Sequence, residues 1–236
     1  MDLFADLHIH SCLSPCGDND MTPGNILGMA KVKGLDAVAI SDHNSARNLP
    51  AAQIIAEAYG LMLVPAIEIT TSEEVHMLGY FPDVQTAVDF GEMLKTHLPP
   101  RKNKPGLFGE QRIMNEDDEI IGEEDALLIG ATDLPLKECA SLVRAVGGVP
   151  VPAHINRGAN GLLINLGMMP KEPEFTTVEV WRHLPCPLEP MEGRHVLHSS
   201  DAHYLEDISE PEFVLHLKEK SVAALLAWMR TPRAMT

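Results

Sequence analysis

The sequence predicts an α/β protein built on a mainly parallel sheet or barrel, and three patterns support this fold class. Segments typical of strands alternate with helical segments of about ten residues, the order that produces parallel strands. Glycine and proline mark many boundaries between these segments. Histidine and carboxylate residues recur where predicted strands end, and parallel strands bring those ends to one edge of a sheet.

The first half of the chain shows the alternation most clearly. The segment Leu3 to His10 is typical of a strand. Thr22 is a typical helix N-cap, and Pro23 suits the first turn of a helix that Gly34 ends. The next predicted elements are a buried strand at 36–41, a helix at 50–59 followed by Gly60, and strands at 61–70 and 75–81.

The alternation weakens between residues 84 and 132. This segment contains a possible helix, a stretch rich in Pro, Lys and Gly at 99–106 and an acidic run at 115–125. Such composition buries little apolar surface, so we expect a small insertion here, within a single domain over residues 1–236. Beyond it, helices are predicted at 136–146 and 221–229, and strands at 148–153, 176–181, 195–200 and 212–217.

Charge and hydropathy argue against several classes of protein. The 18 basic and 34 acidic residues give a net charge of -16, which provides no basic surface for a long nucleic acid. No apolar run approaches the roughly 20 residues that would span a bilayer, and no membrane partner is expected. The first residues, MDLFADLHIH, carry acids where a secretory signal carries bases, which predicts a cytoplasmic protein. The four cysteines form no CxxC pair, so we expect reduced thiols.

Metal-ligating residue types occur in pairs at the predicted strand ends. His8 and His10 are two residues apart, so both side chains leave one face of a strand with α-carbons about 6.6 Å apart and can approach one ion. Asp6 shares that face and is expected to hold one ring nitrogen. Taken alone, HxH is equally compatible with ordinary polar residues. Its recurrence favours a metal centre, because further strand ends carry Asp42-His43, Glu68, His76, His154 and the pair Asp201 and His203.

These residues lie in motifs that resemble the polymerase and histidinol phosphatase (PHP) family. The motifs are DLHIHS from Asp6, SDHNS from Ser41, the glutamate of IEIT, the histidine of HMLGY, PAH from Pro152 and SSDAH from Ser199. Their order and spacing are similar over nearly the whole chain, apart from 84–132 and the tail. An amidohydrolase-type deaminase also uses HxH with a late aspartate, but SDHNS and HMLGY fit the PHP family better.

The resemblance implies a distorted barrel of about seven β/α units that binds two or three divalent ions (zinc, manganese or iron) and hydrolyses phosphoesters. It assigns one ion to His8, His10, Glu68 and Asp201, and a second to Glu68, His76 and His154. A third ion would be held by His43 and His203. Glu68 would bridge two ions, and Glu68, Asp201 and His203 would serve catalysis.

The sequence departs from the family at one ligand of the third ion. The family has a histidine or aspartate a few residues after HxH, whereas the position five after His10 is Pro15. Cys16 or Asp18 would have to replace it. A thiolate from Cys16, which we prefer, would favour zinc or iron, whereas Asp18 would suit manganese or magnesium. Alternatively, Cys16 is a small packed side chain and the third site is weak or empty.

The expected activity is hydrolysis of a phosphomonoester, nucleotide or short oligonucleotide by a metal-activated water. Two arginines on predicted rim loops, Arg157 and Arg47, are candidates to bind substrate phosphate, which guanidinium groups contact bidentately. No GxSxG elbow or Walker-type lysine motif is present in the sequence, which argues against a covalent serine enzyme or a P-loop enzyme. The alternative function is a catalytically inactive, metal-binding regulatory domain.

Overall fold

The computed structural model describes residues 1–233 and has the mixed α/β architecture that the sequence predicts. The predicted strand at 61–70 is divided in two, because Pro65 has no backbone N–H to donate to a strand partner. The last three residues of the predicted domain lie outside the described residues. The first elements are β1 (Asp2–Ile9), α1 (Pro23–Lys33), β2 (Ala37–Ile40), α2 (Leu49–Tyr59), β3 (Met62–Leu63), β4 (Ala66–Thr70) and β5 (His76–Tyr80).

The remaining elements follow the predicted order, with two short helices and one hairpin that the sequence analysis missed. They are α3 (Val84–Lys95), α4 (Pro105–Phe108), β6 (Arg112–Met114), β7 (Ile120–Glu123), α5 (Leu136–Ala145), β8 (Val149–Pro152), α6 (Leu162–Leu166), β9 (Thr177–Glu179), β10 (His195–Leu197), β11 (Val214–His216) and α7 (Val222–Arg230). The missed helices are α4 and α6, and the missed hairpin is β6 with β7.

The predicted signals bound α1 at both ends. The side chain of Thr22 accepts a hydrogen bond from the backbone N–H of Asn25, as an N-cap does. Gly34 has φ of 81°, a left-handed conformation that glycine adopts without steric cost, and its N–H caps the last turn.

The hydrogen-bonded strands form several small sheets, and no closed barrel is found among the residues described. One sheet has the order β11-β1-β2-β3, a second β4-β5-β8, and β9 pairs with β10. The β1–β2, β2–β3 and β9–β10 pairs are parallel, whereas β4–β5 and β5–β8 are antiparallel. The expectation of regular β/α units is therefore wrong at β4 and β5. Their connection, residues 71–75, is too short for the crossover of a dozen or more residues that parallel strands need.

The separate sheets nevertheless enclose a common apolar core. Residues from β1, β2, β4, β5, β8, β10, β11 and α7 form one buried cluster, which includes Leu7, Leu78 and Val151. Tyr80 crosses this core, and its hydroxyl donates to the carbonyl of Leu7 at 2.8 Å. A second cluster lies between the strands and helices. The sheets are thus held in one body by side-chain packing.

Parts of the segment 84–132 pack against this body, although the stretches 99–106 and 115–125 are mostly exposed, as their composition predicts. Helix α3 places Ala87, Phe90 and Leu94 in the second core cluster. The Asn44 side chain donates to the carbonyls of Leu128 at 2.8 Å and Gly130 at 3.0 Å, which fixes the end of the segment. The apolar spacing of α3 is the signal that outweighs the turn formers after it.

Within residues 1–233, the structure contains no helix of the length and apolarity needed to cross a bilayer.

We expect Phe90→Ala to lower the free energy of unfolding by about 3 kcal/mol or more, because Phe90 is buried with its ring centroid 4.9 Å from that of Phe81. Urea denaturation measures this difference. The matched control is Leu107→Ala in the same segment, where the side chain is 71% exposed and a change within about 0.5 kcal/mol is expected. Equal, small effects of both substitutions would show that α3 is peripheral.

Candidate metal centre

The predicted histidine and carboxylate ligands converge on one cluster at the ends of the strands. The short bridge between His43 and Glu68 links the end of β2 to β4, and that between Ile9 and Ala202 links β1 to the loop after β10. The antiparallel pairing of β5 with β4 sets His76 opposite Thr70, so the start of β5 reaches the same edge. The structure brings together all eight: His8, His10, His43, Glu68, His76, His154, Asp201 and His203.

Glu68 lies at the centre of this cluster and is buried. Despite burial, which raises its pKa, the neighbouring imidazoles hold the pKa of this carboxyl well below its usual range. Five histidines surround its two oxygens. Oε1 lies 2.9 Å from His76 Nδ1, 3.2 Å from His154 Nε2 and 3.3 Å from His8 Nε2, and Oε2 lies 3.1 Å from His43 Nδ1 and 3.3 Å from His10 Nε2.

Asp201 is the second carboxylate of the cluster. Its Oδ1 lies 3.4 Å from His8 Nε2 and 3.2 Å from His10 Nε2, and its Oδ2 forms an ion pair with Arg157. Asp201 and His154 have φ of 52° and 28°, in the left-handed region, which costs a non-glycine residue about 1–3 kcal/mol. Both strained residues follow strand ends, which is where site residues tolerate such strain.

The thiol of Cys16 belongs to this cluster, whereas Asp18 does not. Cys16 Sγ and one ring nitrogen each from His10, His43 and His203 all lie within 4.8 Å of one another. The carboxylate of Asp18 instead accepts from the backbone N–H of Asp20 at 2.9 Å. Burial, together with the charges of Glu68 and Asp201, raises the pKa of the Cys16 thiol. Of the two alternatives, the geometry favours Cys16 as the residue placed to bind an ion.

The cluster fits divalent cations better than it fits an ordinary polar core. Within residues 1–233, Nδ1 of His43, His76 and His154 is buried without a hydrogen-bond partner, although two of these atoms lie close to Glu68. A buried polar atom left unpaired costs about 1–3 kcal/mol. Imidazole nitrogens, carboxylates and thiolates are all ligands of transition metals. Two further donor groups lie within 4.8 Å: His8, His10 and Asp201, and His43, Glu68 and His76.

In the protein without a metal ion, protonated His8 and His10 balance the negative charge of Glu68 and Asp201. Burial opposes protonation of His8, but Glu179, Asp201 and Glu68 outweigh it and raise its pKa well above the usual value. For His10 the same competition raises the pKa to about 9. Burial, together with the charge of His10, lowers the pKa of His203 to about 4. A divalent cation would take the place of the protons on His8 and His10, which is how metal binding becomes coupled to proton release.

Glu179, which the sequence analysis did not single out, holds two of the histidines. Its Oε2 accepts from His8 Nδ1 at 2.9 Å and from the backbone N–H of His154 at 3.0 Å. The expected role of Asp6 was therefore wrong: its carboxylate accepts from the backbone N–H groups of Ser200 and Ser209 instead. The signal in the sequence was an acidic residue, Glu179, within the predicted strand 176–181. A carboxylate that is buried in a strand needs a partner.

Two more polar side chains orient histidines of the cluster. Asp42 accepts from the hydroxyl of Ser14 at 2.7 Å, and Ser14 in turn lies 3.0 Å from Nδ1 of His10. Asn160 places its side-chain amide 2.7 Å from Nε2 of His76. Asp42 thus contributes a supporting hydrogen-bond network rather than a ligand.

The two candidate substrate-binding arginines have different positions. Arg157 lies beside Asp201, and its guanidinium carbon is 5.1 Å from the ring centroid of Trp181. Arg47 does not line the cavities at the cluster, and its guanidinium pairs with Glu92 at 2.7 Å and Glu124 at 3.4 Å. Both acids belong to the segment 84–132, whose packing against the body the sequence did not reveal.

A cleft of about 680 Å³ opens beside the cluster. Cys16, Arg157, Asp201 and His203 lie at its inner end, and the aromatic rings of Trp181 and Tyr204 also line it. The rest of the wall is rich in acids. Glu206, Asp207, Glu210 and Glu212 line the cleft, where Glu210 pairs with Lys33 at 3.1 Å and Glu212 forms an ion pair with Arg182.

Comparison of the sequence with known proteins finds no matching family model. An uncharacterized protein of Methanocaldococcus jannaschii is 39% identical over 77 residues, which are 29% of this chain and 45% of that protein. A 5'-3' exoribonuclease of Haemophilus influenzae is 31% identical over 31% of this chain and 27% of the enzyme. A phosphoribosyl 1,2-cyclic phosphate 1,2-diphosphodiesterase of Eggerthella lenta is 30% identical over 33% of this chain and 30% of the enzyme. The matches therefore span less than half the length of each relative.

Solved structures share the fold over most of the chain. Endonuclease Q of Pyrococcus furiosus, a lesion-specific enzyme, gives a TM-score of 0.71 at 18% identity over 98% of this chain and 56% of that one. Endonuclease Q in complex with a 27-mer duplex that carries an abasic lesion gives 0.68 at 18% identity, over 98% and 57%. A candidate metal-dependent phosphoesterase from Bifidobacterium adolescentis gives 0.59 at 20% identity, over 85% and 87%.

We expect Cys16→Ser to lower the number of bound ions, whereas Asp18→Asn retains them, because only Cys16 places its donor atom in the cluster. Metal analysis of the two purified variants measures this difference. Cobalt-loaded wild-type protein should also show thiolate-to-cobalt absorption that Cys16→Ser lacks and Cys186→Ser, a control thiol outside the donor groups, retains. Loss of an ion from Asp18→Asn alone would assign the ligand to Asp18.

Proposed function

We propose that this protein is a metal-dependent phosphoesterase of the PHP type, a hydrolase that acts on phosphoric ester bonds. The observation that carries the proposal is the buried carboxylate of Glu68 with five imidazoles within 3.3 Å of its oxygens, beside a cleft. The names of two relatives, a diphosphodiesterase and an exoribonuclease, support the same class of reaction. The fold shared with a candidate metal-dependent phosphoesterase agrees with it.

The proposed ligand sets are those that the family resemblance implies; two contain or closely match donor groups of the cluster, and in the second His154 stands where the donor group has His43. His8, His10, Glu68 and Asp201 would hold one ion; Glu68, His76 and His154 a second; and His43, His203 and Cys16, with His10 close by, a third. Zinc, manganese or iron suits this mixture of imidazole, carboxylate and thiol. When bound, such ions activate water and stabilise negative charge on a phosphoryl group.

The side chains of the cleft would position the substrate. Arg157, with 40% of its side chain exposed, can bind phosphate oxygens at the inner end of the cleft, where its present partner is Asp201. His203 belongs to the cluster and also lines the cleft, so it is the histidine that would contact the leaving-group oxygen of a bound substrate. Glu68 and Asp201 would act by fixing the ions. Glu179 would keep His8 in the orientation that presents Nε2 to the cluster.

The cleft suits a small substrate with its phosphate at one end. Trp181 and Tyr204 offer aromatic faces to a base or other planar group. Farther along the wall, four acids face only two cations, Lys33 and Arg182, which are already paired. This surplus of negative charge would repel further phosphates. A phosphomonoester, nucleotide or short oligonucleotide therefore fits this cleft better than a long polyanion.

We expect phosphoester hydrolysis to stop when a chelator removes the ions and to return when zinc, manganese or iron is added back. The reason is that the cluster, which would hold the ions, lies at the inner end of the cleft in which the substrate would bind. A panel of phosphomonoesters, bisphosphonucleotides and short oligonucleotides, assayed alongside metal analysis, provides the measurement. Hydrolysis by verified metal-free protein would refute the mechanism, and bound metal without hydrolysis of any substrate would point to a regulatory domain.

We expect Glu68→Gln to lower both metal content and kcat/KM, the latter at least about 100-fold, because removal of even an outer partner of a ligand costs up to that much. Arg157→Ala should instead raise KM about 10-fold or more with metal content unchanged, since a charge-assisted hydrogen bond contributes about 1.5–3 kcal/mol. Arg47→Ala is the matched control, because Arg47 pairs with Glu92 away from the cleft. Full metal content and normal turnover in Glu68→Gln would exclude the bridging role.

A further inference from the structure

The lysines and arginines that lack a carboxylate partner are concentrated in one region of this acidic protein, away from the metal centre. Within residues 1–233, nine of the 18 lysines and arginines form ion pairs within 4 Å and the other nine do not. Five of these nine lie around the end of α7: Arg144, Arg194, Lys218, Arg230 and Arg233. Cations without a carboxylate partner are therefore gathered in one region, where Arg144, Arg194 and Arg230 donate only to backbone carbonyls.

Four of these cations line two grooves that meet at Pro232. The first groove, of about 680 Å³, is lined by Arg144 and Arg230, and the second, of about 460 Å³, by Lys218 and Arg233. Glu174 is the one acid among their lining residues. The cleft at the metal centre has the opposite balance, with three cations and five carboxylates. We call the joined grooves the basic groove.

The basic groove lies at the opposite ends of the strands from the metal centre. Val149 begins β8 in the first groove, and His154 follows the far end of that strand. His195 begins β10 in the second groove, six residues before Asp201, a distance of about 20 Å for extended chain. One phosphate cannot occupy both places, so the groove is a separate site.

The second groove combines its cations with an aromatic and apolar floor. The rings of His195 and Trp228 are tilted by 36° to each other with centroids 3.9 Å apart, and His195 Nε2 donates to the carbonyl of Thr231 at 2.8 Å, which fixes the imidazole. Leu217 and Ala224 complete the floor. A bare phosphate needs no such surface, and the carboxylates of an acidic peptide would use only the cations. Cations that follow a groove beside aromatic rings are typical of sites for single-stranded nucleic acid.

We propose that the basic groove binds a single strand of nucleic acid at a site distinct from the catalytic cleft. The backbone phosphates contact Arg144, Arg230 and Arg233, and a base packs against the rings of the second groove. The net charge of -16 does not prevent this, because ionic strength screens distant charges beyond about 8 Å. The sequence-based expectation that long nucleic acid is not a partner then applies to the cleft alone.

Binding can be tested without catalysis. Metal-free wild-type protein in chelator is titrated against a fluorescein-labelled 12-mer of thymidylate, and anisotropy is followed between 50 and 200 mM salt. Three to four phosphate contacts predict a slope of log K against log salt of roughly -2 to -3, which is a roughly 15- to 60-fold loss of affinity over this range. Because no hydrolysis is measured, failure here is separable from failure of the proposed enzymatic activity.

Paired substitutions locate the site. Arg230→Gln with Arg233→Gln should weaken binding and make the slope shallower by about 1.4, and Arg144→Gln with Lys218→Gln should do the same if the first pair fails to fold. The control pair, Lys104→Gln with Lys171→Gln, makes the same charge change on exposed lysines outside the groove and should bind as wild type does. The proposal is overturned by absent wild-type binding, by equal weakening in the control, or by polyglutamate that competes as well as unlabelled oligonucleotide.

Discussion

The burial of Glu68 is the constraint on which the rest of the site depends. A carboxylate removed from water is unstable unless opposite charge or hydrogen-bond donors surround it. Here the surroundings come from four strands or strand ends, since His8, His43, His76 and His154 all face its oxygens. One end of each of these strands must therefore lie close to Glu68. The architecture of the protein therefore does two things: it brings these strand ends together around Glu68, and it buries apolar side chains.

The mixture of parallel and antiparallel strands follows from the same requirement. β1 and β2 run parallel and present histidines at their carboxyl ends, whereas β5 runs antiparallel to β4 and presents His76 at its start. Because a short connection joins β4 to β5, two neighbouring antiparallel strands place Glu68 and His76 at the same site. The opposite ends of the strands are free of this chemistry, and there the chain places its unpaired cations, so the two ends of the molecule carry opposite electrostatic character.

Local signals made much of the fold predictable. The Thr22 cap and Gly34 bound α1 as expected, and the recurrence of ligand residue types at strand ends led to the eight clustered side chains. What escaped prediction depends on distant parts of the chain. The partners of Arg47 come from 84–132. The role of Glu179 is visible only in the folded protein, where its carboxylate contacts His8, 171 residues away in sequence. Spacing along the chain carries no information about such pairs.

The pairing of β1 with β11 has a consequence for biosynthesis. β1 lies in its sheet between β2 and a strand from residues 214–216, and the backbone N–H of Ser200 reaches back to Asp6. During translation, the eight residues of β1 pair with β2 early, but about two hundred further residues must be made before β11 exists. Contacts this distant in sequence slow folding and leave strand edges exposed meanwhile. One edge of β1 therefore stays without its strand partner until residues 214–216 have been synthesised.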